Sequence, residues 1–237
     1  VLPLFYFARP NNSLLRLGKT VFDGRALKKI CINGSSELMS NISMSLVSML
    51  YNVQLLKYAG ADGVAAYGVL MYASFIFQGV FLGYSVGTAP VIGYHYGAGN
   101  HDELSGLLRK SLALIAGFAV SMFTVSYVLS RPLAAVFVGY DEELLLLTIR
   151  AFRIFSASFL FSGFAIFGSS FFTALNDGPT SASISFLRTL VFQTICVLLF
   201  PLIWKVDGIW LSVVAAELLA VSVTAIFLKV RQKKYHY

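Results

Sequence analysis

Glu37, Asn41, Ser45, Ser48 and Asn52 recur at intervals of three or four residues inside a largely apolar stretch, which places all five on one face of a helix. Oxygens at that spacing can ligand a hard cation, and a carboxyl whose pKa is raised by burial can take up a proton. Ser40 and Asn41 are the oxygen donors beside Glu37 in the sequence. A carboxylate at the centre of a membrane helix costs about 2.5–3.5 kcal/mol on the insertion scale, so this face must line a wet path or meet another helix. Glu37 also lies only about two turns from Lys28 and Lys29, and its structural alternative is to pair with a lysine or to reach the interface.

Two more charges interrupt apolar runs, Arg188 and Glu217. Counted from the same side of a membrane they fall at similar depths, which allows a buried ion pair with a structural or gating role, since either charge alone would be costly there. Gln78 adds a polar group at membrane depth and is expected to neighbour the Glu37 face. Gly79, Gly83 and Gly87 repeat every fourth residue, the pattern that lets two helix backbones approach closely.

These groups need helices to hold them, and composition says which kind. The chain of 237 residues is 57% hydrophobic and only 12% charged. Its mean hydropathy of +0.76 is far above that of a soluble domain. The reading is an all-α polytopic membrane protein whose lipid partner is the bilayer itself. Six apolar stretches are long enough to span it: roughly Lys28 to Tyr51, Val64 to Pro90, Leu112 to Leu129, Leu145 to Leu175, Ser181 to Trp204 and Ile209 to Leu228. Turn signals separate them, including Gly60-Ala61-Asp62-Gly63 and Asn176-Asp177-Gly178-Pro179, and Asn100 with Glu103 has the form of a capping box opening the third helix.

The net charge of +7 reads as topology rather than as affinity for nucleic acid. Twelve basic residues (Arg9, Arg16, Lys19, Arg25, Lys28, Lys29, Arg109, Lys110, Lys229, Arg231, Lys233 and Lys234) fall on one side of six alternating spans, against Lys57, Arg131 and Lys205 on the other. Both ends are therefore expected in the cytoplasm. Trp204 and Trp210 flank the last connection and are expected at the membrane interface. Cys31 and Cys196 sit in apolar runs and suit packing rather than a disulfide or a metal site. No Ser/His/Asp set, phosphate loop or paired-cysteine motif is present, which argues against an enzyme or an ATPase. The expected divisions are residues 1–26, the end of a preceding helix and a connector; 27–228, a six-helix lobe; and 229–237, a basic tail.

The run Gly87-Thr88-Ala89-Pro90-Val91-Ile92-Gly93-Tyr94-His95-Tyr96-Gly97-Ala98-Gly99-Asn100 resembles the signature closing the second helix of each lobe in the multidrug and toxic compound extrusion (MATE) transporters. Asn33-Gly34-Ser35-Ser36-Glu37, Ser185-Phe186-Leu187-Arg188 and Gly208-Ile209-Trp210 through Glu217 extend the resemblance over nearly the whole chain. It implies a C-terminal six-helix lobe, with Val1 to Phe7 left from a missing N-terminal lobe, in a multi-pass protein of the cell membrane. It further implies export of small amphipathic, often cationic drugs or metabolites in antiport with Na+ or H+, with no other cofactor. Glu37, Ser40, Asn41 and Gln78 become the candidate cation or substrate contacts, Na+ at Glu37 being the only metal the reading admits. One departure stands out: a branch of the family has acids on the first and fourth helices of this lobe, whereas the fourth span here has none between Thr148 and Leu175. A related lipid-linked oligosaccharide flippase and the membrane subunit of an ATP-driven pump are the alternative functions.

Overall fold

The computed structural model describes residues 22–237, without the side chains of Asn33, Ser35, Ser36, Glu37 and Met39. Val1 to Phe7, Arg9, Arg16, Lys19, most of the proposed connector and the Glu37 side chain thus lie outside the described residues. The chain divides into two units, Val1–Cys31 and Ile32–Tyr237. Of the first, residues 22–31 hold a helix start, where Asp23 accepts hydrogen bonds from the backbone N–H groups of Arg25 and Ala26 at 2.9 and 3.1 Å.

All described secondary structure is helical: α1 Gly24–Gly97, α2 His101–Val128, α3 Ser130–Val138, α4 Glu142–Ser156, α5 Phe159–Ala174, α6 Gly178–Phe186, a π-helical turn Leu187–Phe192, and α7 Gln193–Tyr235. Two runs are too long for one crossing. The 58-residue stretches Ser40–Gly97 and Gly178–Tyr235 would each extend about 87 Å at 1.5 Å per residue, nearly three times the thickness of a hydrocarbon core. Each is broken once, at Gly60 (φ 66°, ψ −154°) in α1 and at Lys205 (φ 50°, ψ −125°) in α7. Glycine tolerates that backbone freely, but Lys205 is held there under strain. With α2 and the α4–α5 pair, which is bent by 51°, the described chain makes six spans.

The break between α4 and α5 interrupts the stretch Leu145 to Leu175, expected as one helix: the chain turns at Ala157 and Ser158. Asp141 caps α4 by accepting from the N–H groups of Glu143 and Leu144 at 3.0 and 3.1 Å. The capping box expected at Asn100 is not formed, because the Asn100 side chain makes no cap hydrogen bond. The short α3 falls between the third and fourth apolar stretches, where no helix is expected, and packs against α4.

The core of Ile32–Tyr237 lies on α5, which is apolar around its circumference and packs against α2, α6 and α7. Phe159, Phe167, Phe171 and Phe172 are fully buried there. A Cβ on Gly168 would lie 2.2 Å from Thr224 Cγ2 of α7, so only glycine allows this approach. Gly168→Ala is expected to cost about 1–3 kcal/mol by forcing the helices apart, read as a lowered Tm in detergent. Gly79, Gly83 and Gly87 behave otherwise. All three are exposed, and a Cβ on any of them would meet nothing within 4 Å, so the close approach expected of them is not made within the described residues.

Hydroxyl groups join α5 to α6. Ser169 Oγ lies 2.9 Å from Ser181 Oγ and 2.8 Å from Ser185 Oγ, and Thr173 Oγ1 lies 2.7 Å from Ser181 Oγ. Trp204 is half-exposed, but Trp210 is 1% exposed and belongs to the core, not the interface. The Gly208 turn aims its ring inward: a Cβ there would lie 2.4 Å from the Phe200 carbonyl oxygen, so the chain folds back tightly before Trp210.

Even-numbered spans end together. Tyr235, at the end of the sixth, packs edge-on against Tyr96 at the end of the second (5.7 Å) and Phe172 near the end of the fourth (6.5 Å). Tyr237 donates to the Leu228 carbonyl at 2.8 Å and lies edge-on to Phe171 at 5.1 Å, and the His101 and His236 rings are 5.3 Å apart. At the opposite end Arg150 pairs with Asp207, while Arg153 stands 5.6 Å over the Tyr127 ring.

Asp177, in the turn before α6, fastens this basic end. It accepts from Thr180 Oγ1 at 2.8 Å and lies 3.8 Å from Arg231 Nε and 3.9 Å from Lys234 Nζ. Burial opposes its charge, but hydrogen bonds from Tyr235 and Thr180 and the Lys234 ammonium outweigh burial and hold the carboxyl below its usual range. A depressed carboxyl pKa contributes stability that is present above the unfolded value and is lost as pH falls through the folded one. Acid below the ordinary carboxylate range should therefore lower the Tm of the native protein more than that of Asp177→Asn. At neutral pH the variant should lose its C-terminal basic residues to trypsin faster, and equal cleavage would mean the contact does not hold the tail.

Candidate functional site

The two parts of α1 before and after Gly60, α4, the π-helical turn and α7 surround a cavity of about 330 Å³. Its walls carry Met44, Val47, Tyr51, Tyr67, Met71, Phe75, Phe155 and Val213, and its polar groups are Ser48, Ser74, Gln78, Arg188, Thr189, Gln193 and Glu217. An apolar pocket with a few convergent polar groups is the usual form of a small-molecule site.

The π-helical turn supplies Arg188 and Thr189. Such turns insert an extra residue into a helix and re-aim side chains, and they are frequent at functional sites. Arg188 Nε donates to both oxygens of Glu217 at 3.1 and 2.9 Å, and Nη2 donates to Oε1 at 2.9 Å. The two side chains are 15% and 6% exposed. Charge and shape are thus matched at membrane depth, which offsets the cost of burying both.

A second network fixes the aromatic wall. Tyr51 Oη donates to Gln193 Oε1 at 2.6 Å and lies 2.8 Å from Ser212 Oγ, and its ring stacks on Tyr67 with centroids 5.5 Å apart and planes at 6°. The Tyr67 hydroxyl is hydrogen-bonded to Ser48. Ser74 Oγ, in contrast, is buried and has no protein partner, an uncommon state that a ligand or water would relieve.

The structure divides the residues singled out by sequence. Gln78, Arg188 and Glu217 line the cavity together. Ser40 is half-buried and Asn41 is exposed, and neither lines it. Seven residues separate Asn41 from Ser48, about 10 Å along the helix, so of that polar face only Ser48 lines the cavity with Gln78. Toward Gly60 the same face opens onto a groove lined by Ser45, Ser48 and Asn52. Sequence reasoning missed Tyr51, Tyr67 and Ser74; Tyr51 could have been found as the residue one turn beyond Ser48. Among the described residues no group of His, Cys, Asp and Glu could hold a metal ion.

The MatE family profile matches residues 38–199. No curated protein sequence matches the chain. Among solved structures, a multidrug resistance MATE family transporter of the MOP superfamily in an outward-facing conformation superposes with a TM-score of 0.90 at 19% identity, over 99% of this chain and 53% of its own. The Vibrio cholerae MATE transporter VcmN in its bent form matches at TM-score 0.83 and 20% identity, over 91% and 49%. A MOP superfamily transporter from Pyrococcus furiosus, in which reverse polarity of the binding pocket suggests a different function, matches at TM-score 0.85 and 21% identity, over 92% and 49%. The chain spans about half the length of these structures. With the family profile covering more than half of its residues and the fold repeating one half of the solved transporters, this chain belongs to the MatE family of membrane transporters.

Proposed function

We propose that the chain is the C-terminal lobe of a two-lobed secondary transporter that exports small amphipathic, often cationic drugs or metabolites in exchange for Na+ or H+. The observation that carries this reading is an apolar cavity with a few convergent polar groups, within a lobe that corresponds to half of a transporter. The other lobe would close the exposed side of α1, and the glycines at 79, 83 and 87 give that surface a smooth stretch. Residues 27–228 form the lobe, residues 1–26 the connector from the missing half, and residues 229–237 the basic tail. Both ends face the cytoplasm of a cell membrane, by the twelve-to-three bias of basic residues. Glu37, with Ser40 and Asn41, is the coupling-ion contact on the α1 face, and Gln78 is a substrate contact in the cavity. Arg188 and Glu217 hold the π-helical turn against α7 and gate its movement.

A flippase for pyrophosphate-linked oligosaccharides requires an unpaired cation, and Arg188 is committed to Glu217. The reading is tested by reconstituting the two-lobed protein in liposomes and following a fluorescent cationic dye under imposed Na+ or H+ gradients, with and without ATP. Export driven by a gradient without ATP is expected. Export that requires ATP would assign the chain to a pump.

A further inference from the structure

We propose that the Arg188–Glu217 pair sets the charge selectivity of this cavity by making its net charge zero. The inference rests on the reading that the cavity takes ligands. Among the described residues that line it, Arg188 and Glu217 are the only charged ones. Each lies mostly buried, and three hydrogen bonds join them, so the field that one places on a ligand is cancelled by the other a few ångströms away. What remains for recognition is neutral: stacked tyrosines, Phe75, Gln78 and the unpartnered Ser74 hydroxyl. The cavity is therefore fitted to the uncharged, aromatic part of an amphipathic molecule with one hydrogen-bonding group, here facing Ser74. It does not itself select the molecule's charge.

The same geometry makes selectivity switchable at one residue. Glu217→Gln keeps an oxygen to accept from Arg188 but leaves the guanidinium charge uncompensated, which turns the cavity into a site for an anionic amphiphile. The probes are the cationic dye rhodamine 6G and the anionic dye 8-anilinonaphthalene-1-sulfonate, titrated into the two-lobed protein in nanodiscs. In Glu217→Gln the ratio of their dissociation constants should shift by about tenfold or more toward the anion, and Arg188→Gln/Glu217→Gln should restore the native ratio. Gln78→Glu, which leaves the pair intact, should shift the ratio toward the cation. It keeps the test open if Glu217→Gln does not fold. An unchanged ratio in a folded Glu217→Gln or in Gln78→Glu, or a double variant as altered as the single, overturns the inference. Failure of gradient-driven export in the native protein would instead count against the transport reading, because the binding ratio does not depend on turnover.

Discussion

Glu217→Ala should lower the stability of the lobe by about 3–5 kcal/mol, since it leaves the Arg188 guanidinium buried without its partner. The reasoning is one of geometry and depth. Glu217 is 4% exposed, and its two oxygens receive three hydrogen bonds from Arg188 in the π-helical turn. Removing the carboxylate strands a mostly buried cation in a cavity whose wall holds no other described acid. Removing both charges is a different matter. Arg188→Met/Glu217→Leu replaces the pair by apolar groups of similar volume and should come within about 1–2 kcal/mol of the native protein. Thermal unfolding of the three proteins in one detergent gives the comparison. If the single variant melts like the native protein, the pair does not hold α7 to the turn.

Glu37→Gln should abolish gradient-driven export at matched incorporation. Glu37 stands one turn before Asn41 and two before Ser45 on α1, and both of those are exposed on the lobe surface at membrane depth. On the proposed reading a carboxyl in that line binds Na+ through its oxygens or carries a proton, and the amide would do neither. The loss should appear as equal dye retention with and without a gradient. Export surviving unchanged would make Glu37 a structural residue and put the coupling acid in the other lobe, in keeping with the absence of an acid between Thr148 and Leu175.

How much of this could be read from residue order differs between the fold and the cavity. Apolar stretches separated by Gly, Pro and charged turns report spanning helices directly, and the Gly87 to Asn100 run adds the family. The bend at Ala157 and Ser158 carries no proline or glycine; just before it Ser156 Oγ donates to the Arg153 carbonyl at 2.8 Å, a local bond that residue order does not announce. The π-helical turn is equally silent, because Leu187–Phe192 has an ordinary helical composition. For the cavity, charges in apolar runs are conspicuous, whereas Tyr51 and Tyr67 look like any of the 12 tyrosines until tertiary contacts stack them. Trp210 misleads for the opposite reason. Its position beside a connection suits an interface anchor, but the tight return at Gly208 carries it into the core.

If this cavity belongs to the substrate path, a thiol placed in its wall by Ser74→Cys, with little change of volume, will sense the substrate. Cys31 and Cys196, both free, would first be replaced by Ser and Ala in the two-lobed protein. The new thiol would then be treated with a small methanethiosulfonate reagent in the presence and absence of transported dye. The thiol should react, dye should slow the reaction, and modification should stop export. A thiol that reacts at the same rate with and without dye, or whose modification leaves export intact, would put the cavity outside that path.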